Sequence, residues 1–145
     1  MTDTPRHSVS VAGIVVNASG QILVIQRRDN GRWEPPGGVL ELGESFEDGV
    51  AREVLEETGV SIQVDRLTGV YKNMQRGVVA LVFRCTPLDR ADSETAEATA
   101  IRWVAPNEIA ALMDPAYAIR VTDAFGAGDV AIRAHNGVRL VQMGV

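Results

Sequence analysis

Residues 38–60 read GVLELGESFEDGVAREVLEETGV and decide the fold of this chain. Within this stretch, Glu53, Glu56 and Glu57 are spaced three and four residues apart. Because a helix turns by about 100° per residue, the three carboxylates fall on one helix face. Like charges at these spacings destabilise an isolated helix by about 0.2–0.5 kcal/mol each, and a cation among them would reverse that sign. Clustered carboxylates are the ligands that a hard divalent cation such as Mg²⁺ or Mn²⁺ prefers.

The same stretch carries the start and stop signals of a helix. Ser45 is a favourable N-cap, and Glu47 and Asp48 place negative charge in the first turn, where the helix dipole favours it. Gly59 suits the left-handed position that ends a helix. An apolar stripe runs beside the acids and consists of Val50, Ala51, Val54 and Leu55. We therefore expect a helix over residues 45–58 that packs against a sheet and presents its acids to a cleft.

Composition places the chain among globular proteins of ordinary size. It has 145 residues, of which 46% are hydrophobic and 23% are charged, so we expect a single domain over residues 1–145. The net charge of −5 argues against a dedicated nucleic-acid binder, which usually carries a basic face. Nucleotides stay open as ligands because local arginines and a metal can hold phosphate.

Cysteine content and hydropathy indicate a compartment. The single cysteine, Cys85, excludes an internal disulfide and fits a reducing cytoplasm. Its apolar setting is more typical of a small strand residue than of a nucleophile. The chain lacks an apolar run of membrane-spanning length, and its N-terminus lacks the apolar segment of a signal peptide. We therefore expect a cytoplasmic protein with no membrane partner.

Outside the helix, alternating segments rich in β-branched residues predict strands. These segments are residues 8–16, 22–26, 62–64, 67–72, 78–84 and 101–104. The segments 67–72 and 78–84 are predicted to form a hairpin, and the polar stretch 89–99 is predicted to be a loop. Pro106 is predicted to open a helix that continues to residue 112.

The C-terminal part predicts a further helix and a hairpin, together covering residues from about 117 to 143. Helical spacing of apolar residues covers 117–125, and strands at 130–134 and 138–141 flank the turn sequence His135-Asn136-Gly137. This hairpin could extend the sheet of its own domain or pair with a second subunit to form a homodimer. The order of strands and helices favours an α/β fold, an α/β/α sandwich with a mixed β-sheet.

The spacing in residues 38–60 resembles the signature of the Nudix hydrolases. The matching positions are Gly38, Glu44, Arg52-Glu53-Val54, Glu56-Glu57 and Gly59-Val60. The resemblance covers roughly residues 8–112 and implies a Nudix-type α/β/α sandwich with the signature loop and helix. It also implies a Mg²⁺-dependent enzyme, with Mn²⁺ as an alternative cation. Such an enzyme hydrolyses the pyrophosphate bond of a nucleoside diphosphate linked to another group.

The resemblance also assigns roles at the cation site. Glu53 and Glu57 are the first metal ligands, Glu56 is the next, and a backbone carbonyl of Gly37 or Gly38 commonly helps. Glu44 is expected near the metal shell. The catalytic residues are then expected to be Glu53, Glu56, Arg52 and Glu97.

The expected role of Arg52 differs from that of the general base. Arg52 is expected to orient the carboxylates through its planar fork of donors. The general base lies in the signature helix in some family members and in a later loop in others. Glu94 and Glu97 occupy that later segment here.

Substrate binding is predicted from charge and aromaticity. Arg27 and Arg28 end the second strand beside the expected cleft and could contact phosphates. The aromatic residues that could stack on a base are Trp33, Phe46, Tyr71 and Tyr117. The small-molecule partner is a nucleotide, and its identity stays open among modified nucleoside triphosphates, ADP-ribose and nucleotide sugars.

Two other functions are alternatives to hydrolysis. A Nudix-type domain could sense a nucleotide without turning it over, although the complete set of Glu53, Glu56 and Glu57 argues against this. An isoprenoid diphosphate isomerase would need further cysteine and metal-ligand chemistry, which Cys85 alone does not supply.

Overall fold

The computed structural model describes residues 3–89 and 100–142, in which eight strands and three α-helices form an α/β fold. The strands are β1 Ser8–Val15, β2 Ile22–Gln26, β3 Trp33–Glu34, β4 Gly37–Val39, β5 Ile62–Asn73, β6 Val78–Pro87, β7 Ala100–Val104 and β8 Ala131–His135. The helices are α1 Phe46–Thr58, α2 Ile109–Leu112 and α3 Pro115–Ala124. Five strands form a mixed sheet in the order β4-β1-β6-β5-β8, and three form a second sheet in the order β3-β2-β7.

Strand β1 separates two hydrophobic cores because successive side chains of a strand point to opposite faces. Val11 and Val15 enter a core with Val50 and Val54 of α1. The alternate residues of β1 enter the other core, which they share with Val121 of α3. Helices therefore cover both faces of the sheet, and the predicted α/β/α sandwich is confirmed.

Helix α1 has the predicted boundaries and caps. The Ser45 hydroxyl accepts a hydrogen bond from the Asp48 N–H at 3.1 Å. Gly59 has φ 76° in the left-handed region, and its N–H donates to the Leu55 carbonyl. The predicted apolar stripe needs one correction, because the Leu55 side chain is half exposed and Gly49 lies on the buried face instead.

Two other predicted segments differ from the structure. Residues 62–64 and 67–72 belong to one strand, β5, because register irregularities near residues 65 and 68 allow the ladder with β6 to continue past Asp65 and Arg66. The predicted helix over 106–112 divides into a 3₁₀ turn, Pro106–Glu108, and α2. The predicted hairpin of β5 with β6 is confirmed.

The predicted C-terminal hairpin is wrong in its second strand. Strand β8 pairs in parallel with β5 and so extends the sheet of its own chain. Residues 138–141 make a single bridge, between His135 and Leu140. The Val141 N–H donates to the Ala134 carbonyl at 2.9 Å and so closes the short turn, while the Val138 carbonyl accepts the Ala116 N–H at 2.9 Å from the start of α3.

The predicted loop over residues 89–99 falls almost entirely outside the described residues, as do Glu94 and Glu97. Cys85 lies buried in β6 within the α1 core. Burial raises the pKa of its thiol to about 12, which fits the predicted small strand residue. Among the described residues, no helix is long and apolar enough to cross a membrane.

Candidate active site

Arg52, in the middle of α1, is the centre of a charged cluster. Its guanidinium donates two hydrogen bonds to Glu44, from Nε at 2.9 Å and from Nη2 at 2.6 Å. Its Nη1 donates to Glu53 at 2.9 Å and to Glu56 at 3.2 Å. A further bond from Nη2 reaches the Val39 carbonyl at 3.2 Å. One arginine thus fixes three carboxylates of the 38–60 stretch and the strand that precedes it.

Strand β4, which contains Gly37 and Gly38, lies directly against two acids of the helix, Glu57 and Glu53. The Gly37 N–H donates to Glu57 Oε1 at 2.7 Å. A side chain at Gly38 would have its β-carbon 2.6 Å from the Glu53 carboxylate, so only glycine fits beside that acid without a shift. Residues of β4 and of α1 therefore meet at one point.

Arg52 compensates only part of the charge in the cluster, because it is one cation beside Glu44, Glu53 and Glu56. The hydrogen bonds from Arg52, followed by the one from the Glu41 N–H, lower the pKa of Glu44 to about 2. The same bond to Glu44, together with that to Glu53, raises the pKa of the Arg52 guanidinium. Arg52 and Glu44 are therefore both ionised at neutral pH.

The donor set suits a hard divalent cation, which prefers carboxylate and carbonyl oxygen. Glu53, Glu56 and Glu57 supply carboxylates, and the Gly38 backbone can approach closely because it carries no β-carbon. As the side chains stand in residues 3–89 and 100–142, no three acidic, histidine or cysteine groups converge on one point. Arg52 lies among the acids, and Glu56 is 44% exposed, so binding a cation requires carboxylates to turn from the arginine.

A cleft opens beside Gly37 and Gly38 of β4 and contains about 660 Å³ of empty space, part of it continuous with solvent. Gly37 and Gly38 line it next to the acidic cluster. The other polar and aromatic residues along it are Ser10, Arg27, Glu34, Asn73, Tyr117, Arg120 and His135. Gly37 and Gly38 therefore contact both the cleft and the acids of α1, although no carboxylate of α1 is among the described residues that line the cleft.

Arg27 lines this cleft, as predicted for a residue near substrate, and is held by two acids. Its Nη2 lies 2.7 Å from Asp29, and its Nη1 lies 3.2 Å from Glu34. Burial raises the pKa of Glu34, while the charge of Arg27 acts in the opposite direction. Arg28 is exposed at the end of β2.

The predicted aromatic residues occupy different environments. Tyr71 is completely buried, and its hydroxyl donates to Asp123 Oδ2 at 2.6 Å. This burial argues against the base-stacking role predicted for Tyr71. Trp33 is partly buried beneath the Arg102 guanidinium, at 5.3 Å from its ring centroid. Tyr117 is partly buried and lines the cleft, while Phe46 is 44% exposed.

Arg120 lines the cleft, and the sequence reading did not select it. Its side chain is 7% exposed, and its Nε has no hydrogen-bond partner among the described residues. The guanidinium carbon lies 5.0 Å from the ring centroid of Tyr71 and 4.6 Å from that of Tyr117. Burial lowers the pKa of this arginine. The only sequence signal was a charged residue on the buried face of a helix of otherwise apolar spacing.

His135 contributes a neutral imidazole to the same end of the cleft. Its Nδ1 accepts a hydrogen bond from the Gly137 N–H at 3.0 Å, so the proton of the neutral ring is on Nε2. Burial, followed by the charge of Arg120, lowers its pKa. The ring packs edge-on against Tyr117, with centroids 6.1 Å apart.

Comparison with known proteins identifies relatives along nearly the whole chain. The family model of the NUDIX domain matches residues 6–125. A MutT-like protein of Streptomyces ambofaciens is 53% identical over 143 residues, which is 99% of this chain and 93% of the relative. A putative 8-oxo-dGTP diphosphatase of Bacillus subtilis strain 168 is 34% identical over 121 residues, covering 82% of this chain and 81% of the relative.

A solved structure supports the fold independently. A NUDIX hydrolase from Nitrosomonas europaea superposes with a TM-score of 0.78, covering 92% of this chain and 82% of the other. The two sequences are 21% identical, so this likeness bears on the fold alone.

Proposed function

This chain belongs to the Nudix family of pyrophosphohydrolases, and on that premise we propose a Mg²⁺-dependent hydrolase of a nucleoside diphosphate linked to another group. The observation that carries the proposal is the contact of Gly37 and Gly38 of β4 with the acids of α1. Gly37 contacts Glu57, Gly38 lies against Glu53, and both glycines line the cleft.

The cation ligands are proposed to be Glu53, Glu56, Glu57 and the Gly38 carbonyl, with Glu44 near the shell. A bound divalent cation would neutralise charge on the diphosphate, orient it and lower the pKa of water. Mn²⁺ shares the preference for carboxylate and carbonyl oxygen and is the alternative to Mg²⁺.

The residues of the chain then prepare the site for that chemistry. Arg52 holds Glu53 and Glu56 by hydrogen bonds of 2.9 and 3.2 Å. The Gly37 N–H orients Glu57. The general base that removes a proton from water is proposed to be either Glu97 or a glutamate of α1. Water then attacks phosphorus, a P–O bond of the pyrophosphate breaks, and the proton passes to the base.

The moiety beyond the diphosphate is proposed to occupy the rest of the cleft. Arg27 stands at its edge and can contact phosphate oxygen, although Asp29 and Glu34 already bind it. Arg28, at the adjacent position, is the second phosphate candidate. Tyr117 is the aromatic residue best placed to stack on a base, because it is partly buried and lines the cleft. The relative whose name includes 8-oxo-dGTP diphosphatase supports a nucleotide as the substrate class.

A panel of nucleotides tests the proposal. Modified nucleoside triphosphates, ADP-ribose and nucleotide sugars would each be incubated with the protein, with and without Mg²⁺ or Mn²⁺. We expect at least one to release a nucleoside monophosphate with a strict requirement for cation. Tight binding of a diphosphate compound without any turnover would instead support the nucleotide sensor.

Three further expectations accompany this function as proposals. They are a single domain over residues 1–145, a cytoplasmic location and a homodimer formed through an exposed strand edge. Strand β8 supplies such an edge, because it is the last strand of the five-stranded sheet and Ile132 on it is 84% exposed. Sedimentation would test the homodimer.

A further inference from the structure

We propose that Arg120 and Glu34 form a receptor for the lactam edge of a base, a carbonyl oxygen next to a ring N–H. The site would then prefer bases in the keto form over bases that present an amino group and a bare ring nitrogen. This inference rests on the proposed function, because it assigns the distal part of the same cleft to the base of the nucleotide.

The first argument is the unsatisfied hydrogen-bonding capacity of Arg120. A guanidinium carries five N–H donors, and a buried donor without a partner is costly. Within residues 3–89 and 100–142 Arg120 makes cation–π contacts, but its buried Nε has no hydrogen-bond acceptor. Because the residue also lines the cleft, a ligand there can offer an acceptor to its guanidinium.

The second argument is that Arg120 is held in place before a ligand arrives. Its guanidinium lies between the rings of Tyr71 and Tyr117, at 5.0 and 4.6 Å from their centroids. Asp123, on the same helix, binds the Tyr71 hydroxyl at 2.6 Å and Arg133 at 2.7 Å. These bonds join α3 to β5 and β8, so the orientation of the donor is fixed at little further entropic cost on binding.

The third argument is the charge of the partner group. Glu34 lines the same cleft and interacts electrostatically with Arg120. A phosphate at this position would be repelled by the Glu34 carboxylate. A neutral lactam is not, because it accepts from Arg120 through its carbonyl oxygen and donates to Glu34 through its N–H. The pair therefore matches a neutral ligand edge with one acceptor and one donor side by side.

This pattern separates the common bases into two groups. Guanine, hypoxanthine and uracil present a carbonyl beside a ring N–H. Adenine and cytosine present an amino group beside an unprotonated ring nitrogen, which would set donor against donor at Arg120 and acceptor against acceptor at Glu34. A site that hydrogen-bonds a substrate group discriminates strongly against an analogue that leaves its buried groups unpaired.

Matched nucleotides test this directly. Inosine triphosphate and ATP differ at this edge while sharing ribose and phosphates, and UTP and CTP form a second such pair. We expect kcat/KM to favour the keto member of each pair by at least about tenfold. In Arg120→Met the ratio should fall to within about threefold, through loss on the keto substrates. Arg120→Lys, which keeps one donor, should retain part of the preference, and Arg139→Met, a change at an exposed arginine, should leave it intact.

The ratio within one variant separates specificity from folding, because misfolding would lower both rates equally. If Arg120→Met does not fold, Glu34→Gln provides the second variant and should reduce the same ratio. Equal turnover of both members of each pair by the natural protein would overturn the inference and leave the proposed function standing. If no nucleotide is hydrolysed, tighter binding of inosine triphosphate than of ATP by calorimetry would support the receptor and refute only the proposed function. Equal or absent binding in that case would refute the receptor.

Discussion

Gly38 lies so close to Glu53 that a β-carbon on the glycine would stand 2.6 Å from the carboxylate. This contact joins β4 to Glu53, the eighth residue of α1. Real β-carbons are not found at such a distance, so the carboxylate and the strand cannot both keep their positions if a side chain is added. Close approach therefore favours glycine here, since its φ is not in the left-handed region, and an added side chain would displace the flexible Glu53 carboxylate.

A methyl group at this position should displace the acid. We expect Gly38→Ala to lower kcat/KM by about 100-fold, the cost of misplacing a reacting group by about 1 Å. Gly43→Ala is the matched control, because a β-carbon there meets no atom within 4 Å. Steady-state kinetics of both variants, with thermal melting to verify folding, would check this. Equal activity of the two variants would contradict it.

Removal of one proposed ligand should affect the chemical step. Glu57→Gln keeps the size of the side chain but removes a charged oxygen ligand, so we expect kcat to fall by more than about 100-fold. Glu47→Gln on the exposed first turn of α1 is the control and should retain activity. The measurement is turnover against Mg²⁺ concentration. Near-normal turnover of Glu57→Gln at saturating Mg²⁺ would contradict the assignment of Glu57 as a metal ligand.

Loss of the guanidinium fork should affect activity even when the charge is kept. In Arg52→Lys one ammonium cannot make the paired bonds of 2.9 and 2.6 Å to Glu44 while also holding Glu53 and Glu56. We expect a 10- to 100-fold loss of activity, about the cost of removing a residue that orients metal ligands. The Mg²⁺ concentration for half-maximal rate should rise as well. A variant with unchanged Mg²⁺ dependence would show that Arg52 does not position the acids.

Glu97 lies outside the described residues, and its role as general base stays a prediction. If it removes the proton, Glu97→Gln should lower kcat by about 10²- to 10⁴-fold with little change in KM. The loss should be accompanied by disappearance of the acidic limb of the pH–rate profile. Glu94→Gln, in the same segment, is the control. Nearly full activity of Glu97→Gln would assign the base to α1.

The bond network of Asp123 makes stability depend on pH in a calculable direction. Burial raises its pKa, but the hydrogen bonds from Arg133 and Tyr71 outweigh this and lower the pKa below the ordinary value of 3.8. The unfolded chain therefore takes up a proton before the folded protein does as the pH falls. The stabilisation is complete above pH 3.8 and declines below it, toward the lowered pKa of the folded state.

Asp123→Asn tests this sign. At pH 7 we expect the substitution to reduce the free energy of unfolding by about 1.5–3 kcal/mol, the range for hydrogen bonds to a charged group. The difference from the natural protein should shrink below pH 3.8, because only the natural protein loses the charged interaction there. Urea unfolding at pH 7 and pH 3 would measure both values. A difference that is the same at both pH values would contradict the assignment.

Local sequence rules were sufficient for α1 and its surroundings. Ser45 and Gly59 cap the helix where their chemistry predicts. Strand β2 has the predicted bounds because its apolar run is ended by turn residues. Such signals act between residues close in sequence, so no knowledge of the tertiary fold was needed.

Contacts between residues far apart in the sequence determine features that local sequence rules do not predict. Tyr71 was a candidate to stack on a ligand, yet it lies in the core that β5 shares with Val121 of α3. Strand β8 was predicted as half of a hairpin that could extend its own sheet or pair with a second subunit, and its pairing with β5 selects the first alternative.

The sequence by itself thus determined the family signature, the caps and acids of α1 and the class of the fold. Only the tertiary structure decided that Arg120 and Glu34 face one cleft. The reason is that this pairing joins residues of β3 and α3 that lie far apart in the chain and depends on how α3 packs across the sheet.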